Sequence, residues 1–433
     1  MSESILILLF IVLAFLGLPL FAVMGGLGLV LFQLADIEHS AVIIEMYRVA
    51  KSPSLVSIPL FTVAGYVLAY SQTPQRLVTP IKLLFGNRSG LLVMGCLILC
   101  SVFTAFTGAS GVTIVALGGL LFPIIQTRGV GENFSYGLIT VTGSLGLLLP
   151  PSLPLILYGV VSKVSVDQLF ISGIIPCVLL VILLTAFAIY KERTSGREVT
   201  ILSDSFKPLN QKIKIAFQSC KYEAPLPFLV LGGIYLGYLT TTEAATFTLL
   251  YAIVICFFIR KDLSFKSDFG PIIKESMALV GSILIILACA LGLTNFMIDS
   301  EIPAKIFGPM REFIHNKWMF LMCLNIFLLV VGCLMDIFSA IIVVLPMIIP
   351  LAESYGIHPV HLAMIFLTNL EIGYLTPPVG INLFISSNRF KRSLLDIYRD
   401  SFPFLMILLA GLMLITYVPW ISLCLVPEAT SAP

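Results

Sequence analysis

Long stretches without a single charged residue dominate this chain. A helix needs about 20 apolar residues to cross a hydrocarbon core of about 30 Å, and many of the stretches are at least that long. They are continuous apolar runs, unlike the roughly ten-residue alternation of a membrane β-strand. The chain is therefore predicted to be an all-α protein that crosses a membrane many times. The uncharged stretches are 4–35, 52–75, 89–127, 133–162, 168–190, 224–242, 276–298 and 401–427.

The composition excludes other classes of protein. Only 11% of the 433 residues are charged and 58% are hydrophobic, whereas soluble domains carry about 25% charged residues. A soluble fold needs those charges to cover its surface, and a disordered chain is poor in apolar residues. The net charge of +2 is too small to predict a nucleic-acid partner, so membrane lipids are the expected surroundings.

The polar segments predict how the chain is oriented. Residues 191–223 carry seven basic and four acidic side chains, so the positive-inside rule places this connector in the cytoplasm. Met1–Leu34 lacks the basic N-terminal region and a convincing cleavage site of a signal peptide. We therefore interpret it as a retained membrane segment. The last span, about Phe402–Val426 within residues 401–433, then leaves the C-terminus outside.

The chain also contains an internal repeat. Matching positions lie 227 residues apart: Pro123 and Pro350, Gly146 and Gly373, Pro150-Pro151 and Pro377-Pro378. Pro74-x-Arg76-x-x-x-Pro80 recurs as Pro303-x-Lys305-x-x-x-Pro309, 229 residues later. We predict a first repeat over residues 1–190 with its core at 60–160, and a second over 224–400 with its core at 290–390.

The two copies are expected to have opposite orientations. The segment Arg76–Arg88 has three basic residues and no acid, whereas its counterpart Asp299–Lys317 has three of each. Inverted repeats with broken helices are typical of secondary transporters, which bind their substrates between the repeats. Each copy is predicted to hold one re-entrant hairpin (about 91–126 and 318–352) and one discontinuous helix (about 134–160 and 361–388).

Four irregular segments are the candidate binding site. They are 107–111 and 146–152 in the first copy, and 332–339 and 373–382 in the second. Proline lacks an amide hydrogen, so each Pro-Pro pair frees helical carbonyls that a cation can satisfy inside a membrane. Half-helix N-termini favour an anionic group. The alternative is that Pro-Pro and Gly merely kink packed helices.

Two acidic residues near these breaks are further candidates. Asp336 lies between apolar runs, where a lone carboxylate is costly unless it faces an ion or a cavity; it is either a cation ligand or a satisfied structural acid. Glu371, just before the second Pro-Pro pair, has the same two interpretations. Glu243 follows three threonines and is interpreted as a helix cap. His358 and His361 lack a third ligand, so no transition-metal site is predicted.

At these residues the sequence resembles the large membrane subunit of tripartite ATP-independent periplasmic (TRAP) transporters. The strongest match is Ile372–Phe384, IGYLTPPVGINLF, and supporting matches occur in family order over nearly the whole chain. They are LGLLLPPSLPLILYG at 145–159, GGIYLGYLTTTEAA at 232–245, GIHPVH at 356–361 and ITYVP at 415–419. The segment Thr107-Gly-Ala-Ser-Gly111 departs from the commoner Ser-Gly-Ser version, which leaves one ion ligand open.

The resemblance implies a function and partners. It implies sodium-coupled import of an organic acid across a bacterial inner membrane, with an elevator-type fold of scaffold and transport domains. Expected partners are a small four-helix membrane subunit and a periplasmic solute-binding protein. Sodium ions are the expected coupling ions, and no other cofactor is expected. The sodium-binding residues would be Thr107, Gly108, Ser110, Gly146, Asp336, Gly373, Thr376 and Pro377. The substrate-binding residues would be Thr107, Ser110, Pro151, Ser152, Gly380 and Asn382.

Two rival functions belong to other classes. Gly108-Ala-Ser-Gly111 superficially matches an intramembrane serine protease, but that chemistry needs a histidine at membrane depth, and all four histidines lie in or near polar segments. We therefore expect no enzyme activity. The second rival is a stand-alone carboxylate transporter or antiporter of related inverted-repeat design, which would need no binding protein.

Overall fold

The computed structural model describes residues 18–35, 53–86, 90–127, 131–195, 208–300 and 316–426, together with Ile314 and a few isolated positions before Pro53. Every regular element in this part of the chain is a helix, which confirms the predicted all-α class. The repeated motif at 303–309, residues 196–207 and most of residues 36–51 lie outside the described residues.

In the part of the first copy that the structure describes there are eight helices. They are α1 (Leu20–Leu34), α2 (Pro53–Tyr70), α3 (Thr73–Phe85), α4 (Leu91–Thr107), α5 (Ser110–Gln126), α6 (Glu132–Thr142), α7 (Leu153–Ser162) and α8 (Val166–Ser195). A short 3₁₀ turn at Leu145–Leu147 separates α6 from α7. The arms α4 and α5 form the first hairpin, and α6 with α7 form the first broken helix.

The connector and the second copy supply the remaining helices. They are α9 (Leu209–Cys220), α10 (Pro225–Tyr235), α11 (Thr241–Ile253), α12 (Phe269–Asp299), α13 (Lys317–Leu334), α14 (Ile337–Val343), α15 (Leu345–Ser354), α16 (Pro359–Gly373), α17 (Ile381–Phe390), α18 (Leu394–Tyr417) and α19 (Trp420–Leu423). Helix α13 with α14 and α15 forms the second hairpin, and α16 with α17 forms the second broken helix.

Five of the described helices are long and apolar enough to cross a membrane unbroken, and two bent pairs raise the number to seven. The pair α2 and α3 bends by 67°, and the pair α14 and α15 bends by 58°. Pro346 lies in the first turn of α15, where its missing amide hydrogen costs no helical hydrogen bond. The second hairpin therefore has a broken arm that the first hairpin lacks.

Local sequence explains where several helices begin. Thr240 and Glu243 form a reciprocal capping box at the start of α11, which confirms the predicted cap. The last long helix begins at Leu394, earlier than the span predicted from about Phe402. Ser393 caps it by accepting the amide hydrogen of Asp396 (3.2 Å), and Arg392 pairs with Asp400 (2.8 Å). Because the cap and this ion pair compensate the polar groups, the first turns can be helical although they carry charged residues.

The two copies interlock through reciprocal contacts. The second arm of the first hairpin, α5, packs against α17 of the second broken helix. In the same way, α14 and α15 of the second hairpin pack against α7 of the first broken helix. Helices α1, α2, α11 and α12 form a group in which α2 contacts both α11 and α12; α2 also packs against α4 and α7, and α12 against α14. We call this group the outer wall, because it faces the hairpins across the cavity described below.

Candidate functional site

The tip of the first hairpin is a two-residue turn. Gly108 has φ of 66°, a backbone conformation that favours glycine, and Ala109 is extended before α5 begins at Ser110. The hydroxyls of Thr104 and Thr113 lie 2.6 Å apart across the two arms. Thr104 also donates a hydrogen bond to the carbonyl of Gly143 in the first broken helix (3.0 Å). The tip is thereby fixed to the break of its own copy.

The tip of the second hairpin is built around Asp336. Its carboxylate caps α14 by accepting hydrogen bonds from the amide (3.1 Å) and the hydroxyl of Ser339. The amide of Ile337 donates to the phenol oxygen of Tyr374 in the second break (2.7 Å). Asp336 is only partly buried. Its expected role as a cation ligand therefore competes with a capping role that it already performs.

The two breaks share the geometry of their Pro-Pro peptide bond. The peptide bonds Pro150-Pro151 and Pro377-Pro378 are both cis. The hydroxyl of Ser152 donates to the carbonyl of Leu147 (2.6 Å), and the hydroxyl of Thr376 donates to that of Ile372 (3.1 Å). Pro151 and Ser152 are buried, whereas Pro377 is exposed and Thr376 half-buried. The matching Pro-Pro pairs therefore share a cis peptide bond but differ in burial.

Hydrogen bonds join the copies at the site. The hydroxyl of Ser110, at the first hairpin tip, donates to the side-chain oxygen of Asn382 in the second break (2.7 Å). Thr140 and Ser386 form a second cross-copy bond of 2.9 Å. The side-chain nitrogen of Asn382 is buried without a partner among the described residues. The Ser110 hydroxyl thus binds an amide oxygen and not the histidine that a serine protease would require.

Glycines let the backbones approach each other at the breaks. A Cβ atom added to Gly146 would lie 2.1 Å from the carbonyl oxygen of Ser101 in α4. One added to Gly373 would lie 2.5 Å from the carbonyl carbon of Gly332 in α13. Each break is therefore packed against the first arm of the hairpin in its own copy, with no space for a side chain.

A buried acid lies where the two copies meet. Glu371 is fully buried and faces the hydroxyl of Ser144. That hydroxyl donates to the carbonyl of Val141 (3.1 Å), and neither oxygen of Glu371 has a hydrogen-bond partner among the described residues. The 227-residue offset of the repeat pairs these two positions. Both also lie at the C-terminal ends of helices, α6 and α16, whose dipoles are negative there.

A cavity of about 790 Å³ lies between the hairpin tips and the outer wall. Both hairpins line it, through Gly108 and Ser110 on one side and Asp336 on the other, and the second break contributes Tyr374. The outer wall adds polar groups that the sequence analysis did not identify. They are Tyr66 and Tyr70 of α2, and Glu275 and Ser282 of α12. Of these four residues, Glu275 could have been identified from the sequence, because it is an acidic residue directly before the uncharged run 276–298.

The predicted residues are not all brought to this cavity. Gly108, Ser110 and Asp336 line it, and Asn382 reaches it through its bond to Ser110. The other predicted site residues do not line it. They are Thr107, Gly146, Pro151, Ser152, Gly373, Thr376, Pro377 and Gly380. The cavity therefore forms around the hairpin tips, with the Pro-Pro breaks as its support.

The charges around the cavity have one sign. Among the described residues, its lining contains two acids, Glu275 and Asp336, and no lysine, arginine or histidine. The features that favour an anion are the N-terminal ends of α5 and α17, which the cavity meets at Ser110 and Ile381. An isolated helix N-terminus carries only about half a positive charge. An anion entering this cavity thus needs an additional positive charge.

Comparison with known proteins shows which family this chain resembles. Residues 7–421 match the family described as "Tripartite ATP-independent periplasmic transporter, DctM component". A similar protein is the C4-dicarboxylate TRAP transporter large permease protein DctM of Rhodobacter capsulatus, 31% identical over 98% of this chain and 99% of that protein. The ectoine/5-hydroxyectoine TRAP transporter large permease protein UehC of Ruegeria pomeroyi is 28% identical over 96% of each.

Two further similarities concern subunit organisation and fold. The isethionate TRAP transporter permease protein DctMQ of Oleidesulfovibrio alaskensis is 30% identical over 85% of this chain but only 57% of its own length. Among solved structures, the YdaH transporter of Alcanivorax borkumensis superposes with a TM-score of 0.63 at 15% identity, covering 89% of each chain. At that identity the likeness shows a shared fold.

Proposed function

This chain belongs to the family of DctM components of tripartite ATP-independent periplasmic transporters, and on that premise we propose that it imports an organic acid by coupling its movement to sodium ions. The relatives named above include a C4-dicarboxylate and an isethionate permease, and both of those solutes are organic anions. A carboxylate or a related organic acid is therefore the proposed substrate class.

The observation that carries this proposal is the cavity between the hairpin tips and the outer wall. It is about 790 Å³ in volume, and the described residues that line it include two acids and no basic side chain. An organic anion alone would be repelled by Glu275 and Asp336, because like charges a few ångströms apart cost several kcal/mol at intermediate dielectric. A cation that binds first removes this repulsion. The charges of the cavity thus support the proposed coupling to a cation.

The chain offers buried oxygens suited to such a cation. Sodium prefers carboxylate, carbonyl and hydroxyl ligands, by extension from the rule for hard cations. Asp336 would provide one negative charge near the cavity. Glu371 would provide a second, because its unpartnered oxygens are buried next to two negative helix ends and would be costly without a compensating positive charge. Residues around Ser110, Gly146, Gly373 and Thr376 would supply the remaining oxygens.

The order of binding follows from this arrangement. Sodium ions bind first and stabilise the hairpin tips against the breaks. The carboxylate then binds at the N-terminal ends of α5 and α17, near Ser110 and Asn382. The part formed by the hairpins and broken helices would move against the outer wall, because the cavity lies at their boundary. This movement corresponds to an elevator-type mechanism.

The proposed partners and location follow from the family. A small four-helix membrane subunit and a periplasmic solute-binding protein would complete the transporter in the bacterial inner membrane. The basic connector 191–223 would face the cytoplasm and the C-terminus the periplasm.

Reconstitution tests the proposal. The chain and its small subunit are placed in proteoliposomes, and uptake of radiolabelled dicarboxylates is measured with and without the binding protein and an inward sodium gradient. We expect uptake only when both are present. Uptake by this chain alone would favour the stand-alone transporter, and uptake that is indifferent to sodium would refute the coupling.

A further inference from the structure

A second cavity, of about 310 Å³, lies on the other side of the first hairpin. Its walls come from α3, α4, α10 and α11, and its lining is almost entirely apolar, with Leu77, Phe85, Ile98, Val102, Phe228 and Ile255 among the side chains. The cavity extends from Tyr222 to Phe106 and Thr107 at the hairpin tip. It therefore connects the connector end of the helices with the tip of the first hairpin.

Two cations flank the polar end of this cavity. The ammonium group of Lys221 lies 4.5 Å from the ring centre of Tyr222, and the guanidinium of Arg260 lies 5.1 Å from it. Tyr222 itself lines the cavity. The side chain of Lys221 is exposed. The apolar cavity thus ends beside a pair of positive charges.

The acids nearby neutralise only part of this positive charge. Glu223 lies 2.5 Å from Arg76, and Asp262 lies 2.6 Å from the same guanidinium. Glu223 reaches Arg260 only at 3.4 Å, and the Nε atom of Arg260 is buried with no hydrogen-bond partner among the described residues. Among the described residues of this cluster, Arg76, Lys221 and Arg260 face the two acids Glu223 and Asp262, and Glu223 also lines the cavity. One net positive charge remains beside this end of the cavity, where Lys221 is exposed.

We propose that this cavity binds an anionic phospholipid, with an acyl chain between α4 and α10 and the phosphate beside Lys221 and Arg260. An apolar cavity excludes water, and within a membrane the available apolar occupant is a lipid chain. Basic pockets between helices on the cytoplasmic side bind anionic head groups, and the neighbouring segments 191–223 and 260–274 are the basic ones. The chain end would reach Thr107 and support the hairpin tip from the side.

Native mass spectrometry of the purified chain tests this proposal without reference to transport. The protein is delipidated in detergent and then titrated with phosphatidylglycerol or phosphatidylcholine. We expect the wild-type chain to retain one phosphatidylglycerol about tenfold more tightly than phosphatidylcholine. Ile98→Trp fills the cavity and should abolish the retained lipid. Ile326→Trp is the matched control, because both isoleucines are about half exposed (47% and 56%) but only Ile98 lines the cavity.

Charge variants test the head-group contact. Lys221→Gln should remove most of the preference for phosphatidylglycerol, whereas Lys266→Gln, at another exposed lysine, should leave it unchanged. If the Ile98→Trp variant does not fold, the Ile98→Phe variant, with its smaller side chain, is measured in its place. Equal retention by the Ile98 and Ile326 variants would overturn the proposal, and so would equal binding of the two lipids by the wild type. Displacement of the lipid by the small membrane subunit would assign the cavity to that subunit instead.

Discussion

The close contact between the second break and the second hairpin makes Gly373→Ala an informative substitution. The added Cβ would lie 2.5, 2.6 and 2.8 Å from the carbonyl carbon, Cα and carbonyl oxygen of Gly332. All three are backbone atoms, so no side chain can rotate away. Helices α13 and α16 must separate by about 1 Å to restore van der Waals contact. Such overpacking costs about 1–3 kcal/mol.

That cost converts to a measurable change in thermal stability. Unfolding entropies of about 2.1 cal/mol/K per residue give about 0.9 kcal/mol/K for a chain of 433 residues. The thermal midpoint of Gly373→Ala in detergent should therefore fall by about 1–3 °C. Uptake in proteoliposomes should fall about tenfold or more, because the break and the hairpin tip no longer meet in register.

A control on another helix separates packing from the general effect of replacing glycine. Gly281 lies in α12, and a Cβ there would contact nothing within 4 Å. Gly281→Ala should leave uptake unchanged and raise stability by up to about 1 kcal/mol, since alanine favours helix more than glycine does. Gly146→Ala should behave like Gly373→Ala. Wild-type stability and uptake in both of these break variants would refute the close-packing argument.

Four further experiments, with five substitutions, test the site and its support. Asp336→Asn keeps the cap but should raise the sodium concentration for half-maximal uptake about tenfold; an unchanged value would remove Asp336 from the ion site. Glu371→Gln should reduce the rise in thermal midpoint caused by sodium, and an undiminished rise would make this acid purely structural. Ser110→Ala and Asn382→Ala should be non-additive by about 0.5–3 kcal/mol in a stability cycle, whereas additivity would mean that their bond is not formed in the protein. Glu223→Gln leaves two arginines without their shared carboxylate and should cost about 3–5 kcal/mol; a wild-type thermal midpoint would contradict the ion cluster.

Parts of the site could be predicted from sequence because their causes are local. Gly108 sets the turn of the first hairpin through its own backbone conformation. The Pro-Pro pairs interrupt helices wherever they occur, because proline lacks an amide hydrogen. The repeat made these breaks recognisable, since the same local signal occurs twice in the same order. None of these inferences required knowledge of which helices are neighbours.

The outer wall of the cavity could not be predicted in this way. Tyr66, Tyr70 and Glu275 reach the hairpin tips only because α2 and α12 pack beside them. The contact of Ser144 with Glu371 depends likewise on how the two copies are placed against each other. The start of α18 at Leu394 depends on the pairing of Arg392 with Asp400, nearly two turns into the helix, which charge spacing alone cannot show.

The sequence by itself predicted that this chain spans a membrane as helices in two related copies, each interrupted at its Pro-Pro pair. It did so because a membrane requires every backbone group to be satisfied within its own segment. Only the tertiary structure decided which polar groups share a cavity and which acid is left without a partner. Helices in a membrane are apolar on most faces and associate through close packing, so their partners cannot be inferred from hydrophobic patterning.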